Sequence, residues 1–144
     1  MKYNAGGDIV TGLGDNFSGD HLVIPGTYNG VSVIAIGDDA FTNNESFKEL
    51  TISEGVTMIG AASFSSCENL QIISIPSSMR EISEFAFAGC LSLVEIHYAG
   101  TIEQWTNDVS CYKNGLMSWD YGTENYTIYC TNGQIAADGT ITKN

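Results

Sequence analysis

The chain has 144 residues, 43% of them apolar, enough for one domain with a buried core. Seventeen acidic residues against five basic ones give a formal net charge of −12; such a surface repels phosphate backbones and anionic lipid heads and argues against nucleic-acid binding. No run of about 18 apolar residues occurs, so no membrane-spanning helix is expected.

The opening, MKYNAGGDIVTG, lacks the roughly 7–15-residue apolar core of a secretory signal. Either the chain is cytoplasmic or an export signal has been removed from it. DIVTGL (8–13) reads as a capping strand and GDNFSGD (14–20) as a loop. Asp15 to Asp20 gathers oxygen ligands in the manner of a calcium site, but without calcium-loop spacing it reads as a solvated turn. Sequons at Asn16, Asn44 and Asn125 matter only in a eukaryotic secretory pathway.

From HLVIP onward a pattern repeats every 23 residues. Ile36, Ile59 and Ile82 share one column; Phe41, Phe64 and Phe87 share another; Leu50, Ile73 and Ile96 a third. Further columns hold Val33, Val56 and Met79; Phe47, Leu70 and Leu93; Ile52, Ile75 and Tyr98; Asn44, Cys67 and Cys90. A fixed period of this kind is the mark of a solenoid. Within each winding the pair exemplified by Ile73 and Ile75 alternates with a period of two, which predicts a strand. Gly37 and Gly60 permit a tight corner. The stretch through each Phe is too short for a helix of its own, so a single helical turn is expected, with the ring plugging the interior.

One winding cannot bury enough apolar surface to offset the ordering of its backbone, so neighbours must stack. HLVIPGTYNGVSVIAIGDDAF is a diverged first copy, in which Leu22 and Ile24 take the parts of Leu50 and Ile52. Its extra residues, centred on TYNGV, carry Asn29-Gly30 and predict a projecting hairpin.

After Gly100 the period stops. TIEQW begins another turn of the coil, 106–125 is irregular and aromatic, and YTIYCTNGQIAADGTITK reads as a closing hairpin or meander, with turns at Asn132-Gly133 and Asp138-Gly139. Trp105, Trp119, Tyr121, Tyr126 and Tyr129 are expected to cover the last coil, the alternative being a ligand platform. The expected organisation is an N-terminal capping segment (1–21), about four repeat windings (22–100) and a C-terminal capping module (101–144).

The segments LVIP, IGDDAF, SFSSCENLQIISIPSSM and FAFAGCLSLVEIHYAGTIEQW resemble the BspA-type leucine-rich repeats of bacterial and protist surface proteins, over roughly residues 8 to 135. YAGTIEQW and YTIYCTNGQI are similar to the terminal module that often follows such repeats. The resemblance implies a strand-dominated α/β solenoid: a right-handed leucine-rich-repeat superhelix with a parallel sheet, short helical turns and a β capping module. It also implies export and display, since members are usually surface proteins and some mediate adhesion.

Strand residues pointing away from the core are His21, Val23, Glu49, Thr51, Ile72, Ser74, Glu95 and His97. A curved solenoid presents such residues as one concave surface, the expected site of protein or glycan binding. Ile72 is apolar where its column otherwise carries Glu or His; Val23, Met58 and Ile34 are expected beside it as a sticky patch. A structural alternative is end-to-end self-assembly through exposed strand edges.

A hydrolase built on Ser74, Glu95 and His97 is a remote alternative. Glu95 and His97 stand about 7 Å apart along one strand, long for one to orient the other. No phosphate loop, metalloprotease or EF-hand pattern appears, so no cofactor is expected. Cys67 and Cys90 share a column with an expected Cα spacing of about 4.8 Å, and their parallel side chains favour two reduced thiols over a bridge. Cys111 and Cys130 could pair if the chain is exported.

Overall fold

The computed structural model describes residues 1–113 and 117–144; residues 114–116, within the stretch read as irregular, lie outside the described residues. Lys2–Tyr3 (β1) pairs antiparallel with Ile9–Gly12 (β2), and His21–Ile24 (β3) follows. The projecting hairpin is present as Thr27–Tyr28 (β4) and Val31–Ser32 (β5). Each regular winding then supplies a two-residue and a four-residue strand: Ala35–Ile36 (β6) and Glu49–Ile52 (β7), Met58–Ile59 (β8) and Ile72–Ile75 (β9), Glu81–Ile82 (β10) and Glu95–Tyr98 (β11). Helix α1 (Ile102–Asp108) leads to Ser110–Cys111 (β12), and Thr127–Cys130 (β13), Gly133–Ala136 (β14) and Ile141–Lys143 (β15) end the chain.

These strands form two facing walls of a solenoid. The short strands build a six-stranded sheet in the order β1-β2-β6-β8-β10-β12, and the long ones a seven-stranded sheet in the order β15-β14-β13-β11-β9-β7-β3. Pairing from β3 to β13 is parallel, and from β7 to β11 it is in register at the sequence period: Leu50 lies beside Ile73, and Ile73 beside Ile96. The columns therefore become ladders in the core. Phe41, Phe64 and Phe87 stack in file, with ring centroids 5.1 Å apart at each step and interplanar angles of 9° and 5°. Phe64, Leu70, Ile73 and Ile59 are all fully buried.

The single helical turn expected at each Phe is instead a non-helical turn, hydrogen-bonded in the same way from winding to winding. Asp39, Ala62 and Phe85 occupy one left-handed column, with φ of 56°, 53° and 56°. Asn43, Ser66 and Gly89 occupy a second, at 57°, 57° and 66°. Left-handed residues cannot continue a helix. They instead turn backbone donors toward the next winding: Ala62 N bonds Glu84 O at 2.9 Å, Phe64 N bonds Ala86 O at 2.8 Å, and Ser66 N bonds Ala88 O at 2.7 Å. Lateral bonding of alternate residues is what holds one turn onto the next.

Cys67 and Cys90 are free, fully buried thiols, and each donates to the carbonyl of a Phe in the preceding winding, Phe41 or Phe64, at 3.2 Å. Burial pushes both thiols up to about 12. Cys111 and Cys130, the other candidate pair, are also free and lie in different sheets. Burial raises Cys111 to about 12 as well, and raises Cys130. Because the thiolate is the nucleophile, iodoacetamide at mildly alkaline pH is expected to spare Cys67 and Cys90 in the native protein. Mass spectrometry finding either labelled as fast as in denatured protein would contradict the packing.

Beyond Gly100 the chain makes a longer, fifth winding. β12 extends the six-stranded sheet beside β10, and β13 extends the seven-stranded sheet beside β11. Phe87 N bonds Trp119 O at 2.8 Å, as Phe64 N bonds Ala86 O, so Trp119 stands where earlier windings carry Ser63 and Ala86. A large ring in place of a small side chain fills the wider end of the core, where Trp105, Trp119 and Tyr126 pack in contact. Helix α1 accounts for part of the added length. It opens with a reciprocal capping box, Thr101 Oγ1 accepting from Gln104 N and Gln104 Oε1 accepting from Thr101 N.

The antiparallel meander β13-β14-β15 closes the seven-stranded sheet. Lys143 and Asn132 both donate to Glu103 on α1, and the Lys143 bond is the main cause holding that carboxyl down at about 2. A depressed carboxyl favours the folded arrangement above the ordinary carboxylate range, and the contribution fades as pH falls toward about 2. Amide protection of Ile141 to Lys143, followed by NMR during acidification, should fall across that window. Glu103→Gln should make that protection insensitive to pH there, and an unaltered acid dependence in the variant would reject the link.

Candidate functional site

The outward side of the seven-stranded sheet carries two continuous rows. In one, His21, Glu49, Ile72, Glu95 and Thr127 lie side by side; in the other, Val23, Thr51, Ser74, His97 and Tyr129 do. The second row continues to Gln134 and Thr142 on β14 and β15. Strand alternation produces this division: Leu22, Leu50, Ile73 and Ile96 point into the core, so their neighbours point out. All eight residues expected on this face are therefore brought together. His21, Val23, Glu49 and His97 are exposed, whereas Thr51, Ile72, Ser74 and Glu95 are half-buried by their row neighbours.

Two contacts organise the rows. His21 Nε2 and Thr51 Oγ1 are 2.7 Å apart, a diagonal hydrogen bond between β3 and β7. His97 Nε2 lies 2.7 Å from Glu95 Oε2. The second contact corrects the expectation that strand spacing keeps Glu95 and His97 from engaging, because both side chains are long enough to lean along the strand and meet. The expected sticky patch also needs correction. Met58 belongs to β8 in the six-stranded sheet, and Ile34 leads into β6 of that same sheet, so neither extends the face around Ile72.

Tyr129 is the residue that sequence reasoning misplaced. It is not a cover for the last coil: it is 37% exposed and stacks on His97, with centroids 5.2 Å apart and planes 19° from parallel. Inward Ile128 fixes it outward, and the signal was the alternation in YTIYC. Of the other aromatics read as cover, Trp105, Trp119 and Tyr126 are buried, while Tyr121 is 48% exposed and meets Phe85 edge-on.

Past the ends of the strands the second row borders a shallow hollow of about 540 Å³, lined by Thr51, Ser53, Ser74, Pro76, His97 and Ala99 among others. Glu54 stands at its edge and accepts a hydrogen bond from Ser77. Hydroxyls, an imidazole, carboxylates and an aromatic ring thus lie on one surface, beside the half-buried Ile72. Such a surface can offer hydrogen bonds in both directions, an apolar contact and a preference for cationic groups.

The period and the two-walled winding, with its registered sheet face, define a leucine-rich-repeat solenoid. The chain belongs to the BspA type leucine rich repeat family, which matches residues 27–129 in six copies. Among solved structures it is similar to a leucine-rich repeat protein from Bacteroides capillosus, with a TM-score of 0.64 and 23% identity over 84% of this chain and 86% of that one. It is also similar to the leucine-rich repeat protein of T. pallidum, with a TM-score of 0.53 and 28% identity over 58% of this chain; the match spans 42% of that protein's length. No curated protein matches the sequence significantly. Among the described residues, no helix is long and apolar enough to cross a membrane.

Proposed function

We propose that the outward face of the seven-stranded sheet is a recognition surface for a protein or a glycan, in a chain that works at the cell surface or outside the cell. The observation that carries this reading is the pair of registered rows, with Ile72 half-buried among polar neighbours and the His97–Tyr129 stack beside an open hollow. Repeat proteins use continuous faces of this kind for binding, and the family's likeness to exported surface proteins supports the location. The face is read as binding without catalysis. Esterase or peptidase activity that disappears in Ser74→Ala would contradict that.

Arrays of extracellular-matrix proteins and of glycans test the reading. Binding to at least one member is expected, weakened about tenfold or more in the double variant Ile72→Asp/His97→Asp with unchanged circular dichroism. A double variant that binds as tightly as the parent would remove the sheet face from the account. A second reading, end-to-end association, is favoured by one observation: among the described residues, β3 and β12 end their parallel ladders with one side of each strand unpaired. Light scattering showing a mass that rises with protein concentration would support it, and a constant monomer mass would dismiss it.

A further inference from the structure

The longer fifth winding does not close its interior. Between α1, β12 and the β13-β14-β15 meander lies a cleft of about 310 Å³, separate from the sheet face. Its walls include Trp105, Trp119, Tyr126, Ile128, Ile135 and Ile141. Ile141 pairs in register with Ile135, so its side chain lies on the core side of the meander, yet it is 48% exposed. An interior-facing isoleucine with so little covering it is the sign of a space that the described residues leave unfilled. One wall also holds Trp119, whose shielded indole Nε1 has no acceptor among the described residues. Among the described residues, every lining residue is uncharged except Lys113, one of only five basic residues in a chain of net charge −12.

We propose that this cleft binds a small apolar carboxylate. The volume is about twice the ~150 Å³ of an apolar cavity that admits benzene, so a bicyclic ring or a chain of about eight carbons fits. Aromatic and aliphatic walls take the body of such a molecule by excluding water. Lys113 supplies the counter-charge for its carboxylate. Neutral polar ligands gain nothing from these walls, and cationic ones meet the lysine.

Trp105 and Trp119 are the chain's two tryptophans, and both line the cleft, so intrinsic emission reports on it directly. Titrating the whole chain with octanoate, below its micelle concentration, should give a saturable change in emission. 1-Octanol should need about fivefold higher concentration, the weight of one exposed ion pair, and Lys113→Gln should bring the two ligands together. Ala137→Phe, which fills the cleft, should weaken octanoate about tenfold or more with unchanged circular dichroism. The proposal is overturned by a flat or non-saturating titration, by equal affinity for octanol in the parent, or by undiminished binding in a folded Ala137→Phe. Emission that shifts with protein concentration alone would also overturn it, since a second copy would then be the occupant.

Discussion

Phe64→Ala should cost roughly 3–5 kcal/mol of folding stability, the largest loss expected from any single truncation in the ring file. Phe64 is fully buried and stacks on both Phe41 and Phe87 at 5.1 Å, with Phe47 meeting it edge-on at 6.3 Å. Removing it opens a void in the middle winding, which has a neighbour on each side and cannot collapse without drawing two sheets inward. Against a total stability of about 5–15 kcal/mol for a domain of this size, that should lower the midpoint of urea unfolding by about 1–5 M. Phe85→Ala is the control, in the next winding: the residue is half-buried against Tyr121, and its loss should stay near or below about 1 kcal/mol. Equal losses at Phe64 and Phe85 would mean that the ring file does not hold the windings together.

Gly60→Ala should be the next most damaging of the small changes, at roughly 1–3 kcal/mol. A Cβ at Gly60 would stand 2.7 Å from Ile36 O, 2.8 Å from Asp38 N and 2.7 Å from Asp38 Oδ1. Two of these atoms are backbone of the preceding winding, and Gly60 N is itself bonded to Ile36 O at 2.8 Å, so relief requires lengthening a lateral bond. The column carries Ser83 one winding later, where Ala61 takes the place of Asp38 and the equivalent bond, Ser83 N to Ile59 O, is 3.0 Å. Asp38 is therefore the added obstruction: its carboxylate accepts from Ala61 N at 2.8 Å and is held against the glycine. Gly60→Ala should be milder in an Asp38→Ala background, and a double-mutant cycle from chemical denaturation measures the difference. Gly37→Ala, whose Cβ would meet Val10 O at 3.2 Å on the terminal side of the ladder, should cost less than either.

The winding was legible because its columns repeat at a fixed step, and a fixed step forces like residues to lie side by side once the strands pair. Ile36, Ile59 and Ile82, and the three stacked phenylalanines, follow from that alone, as do the six outward positions from Glu49 to His97; His21 and Val23, at a step of 28, follow from the match of HLVI to ELTI. Departures from the period were harder. From Glu95 to Thr127 the step is 32 residues, so Tyr129 could not be placed opposite His97 by counting. The added length is partly α1, and its signal was present as Thr101 three residues before Gln104, a capping box in a segment read as more coil. The division into two sheets was also missed: counting places Met58 in a winding but not on a wall, and the short β8 faces away from Ile72. Side-chain reach gave the last error, since a Cα spacing says little about where the ends of Glu95 and His97 meet.

The claim beneath the core ladders and the sheet face is that, from Val33 to Tyr98, positions 23 apart sit directly over one another. Aromatic proton contacts in a NOESY spectrum test it most directly. Stacking at 5.1 Å per step predicts strong cross-peaks between Phe41 and Phe64 and between Phe64 and Phe87, with none between Phe41 and Phe87, two steps apart. A spectrum in which Phe64 touches neither of the other two rings would contradict the account.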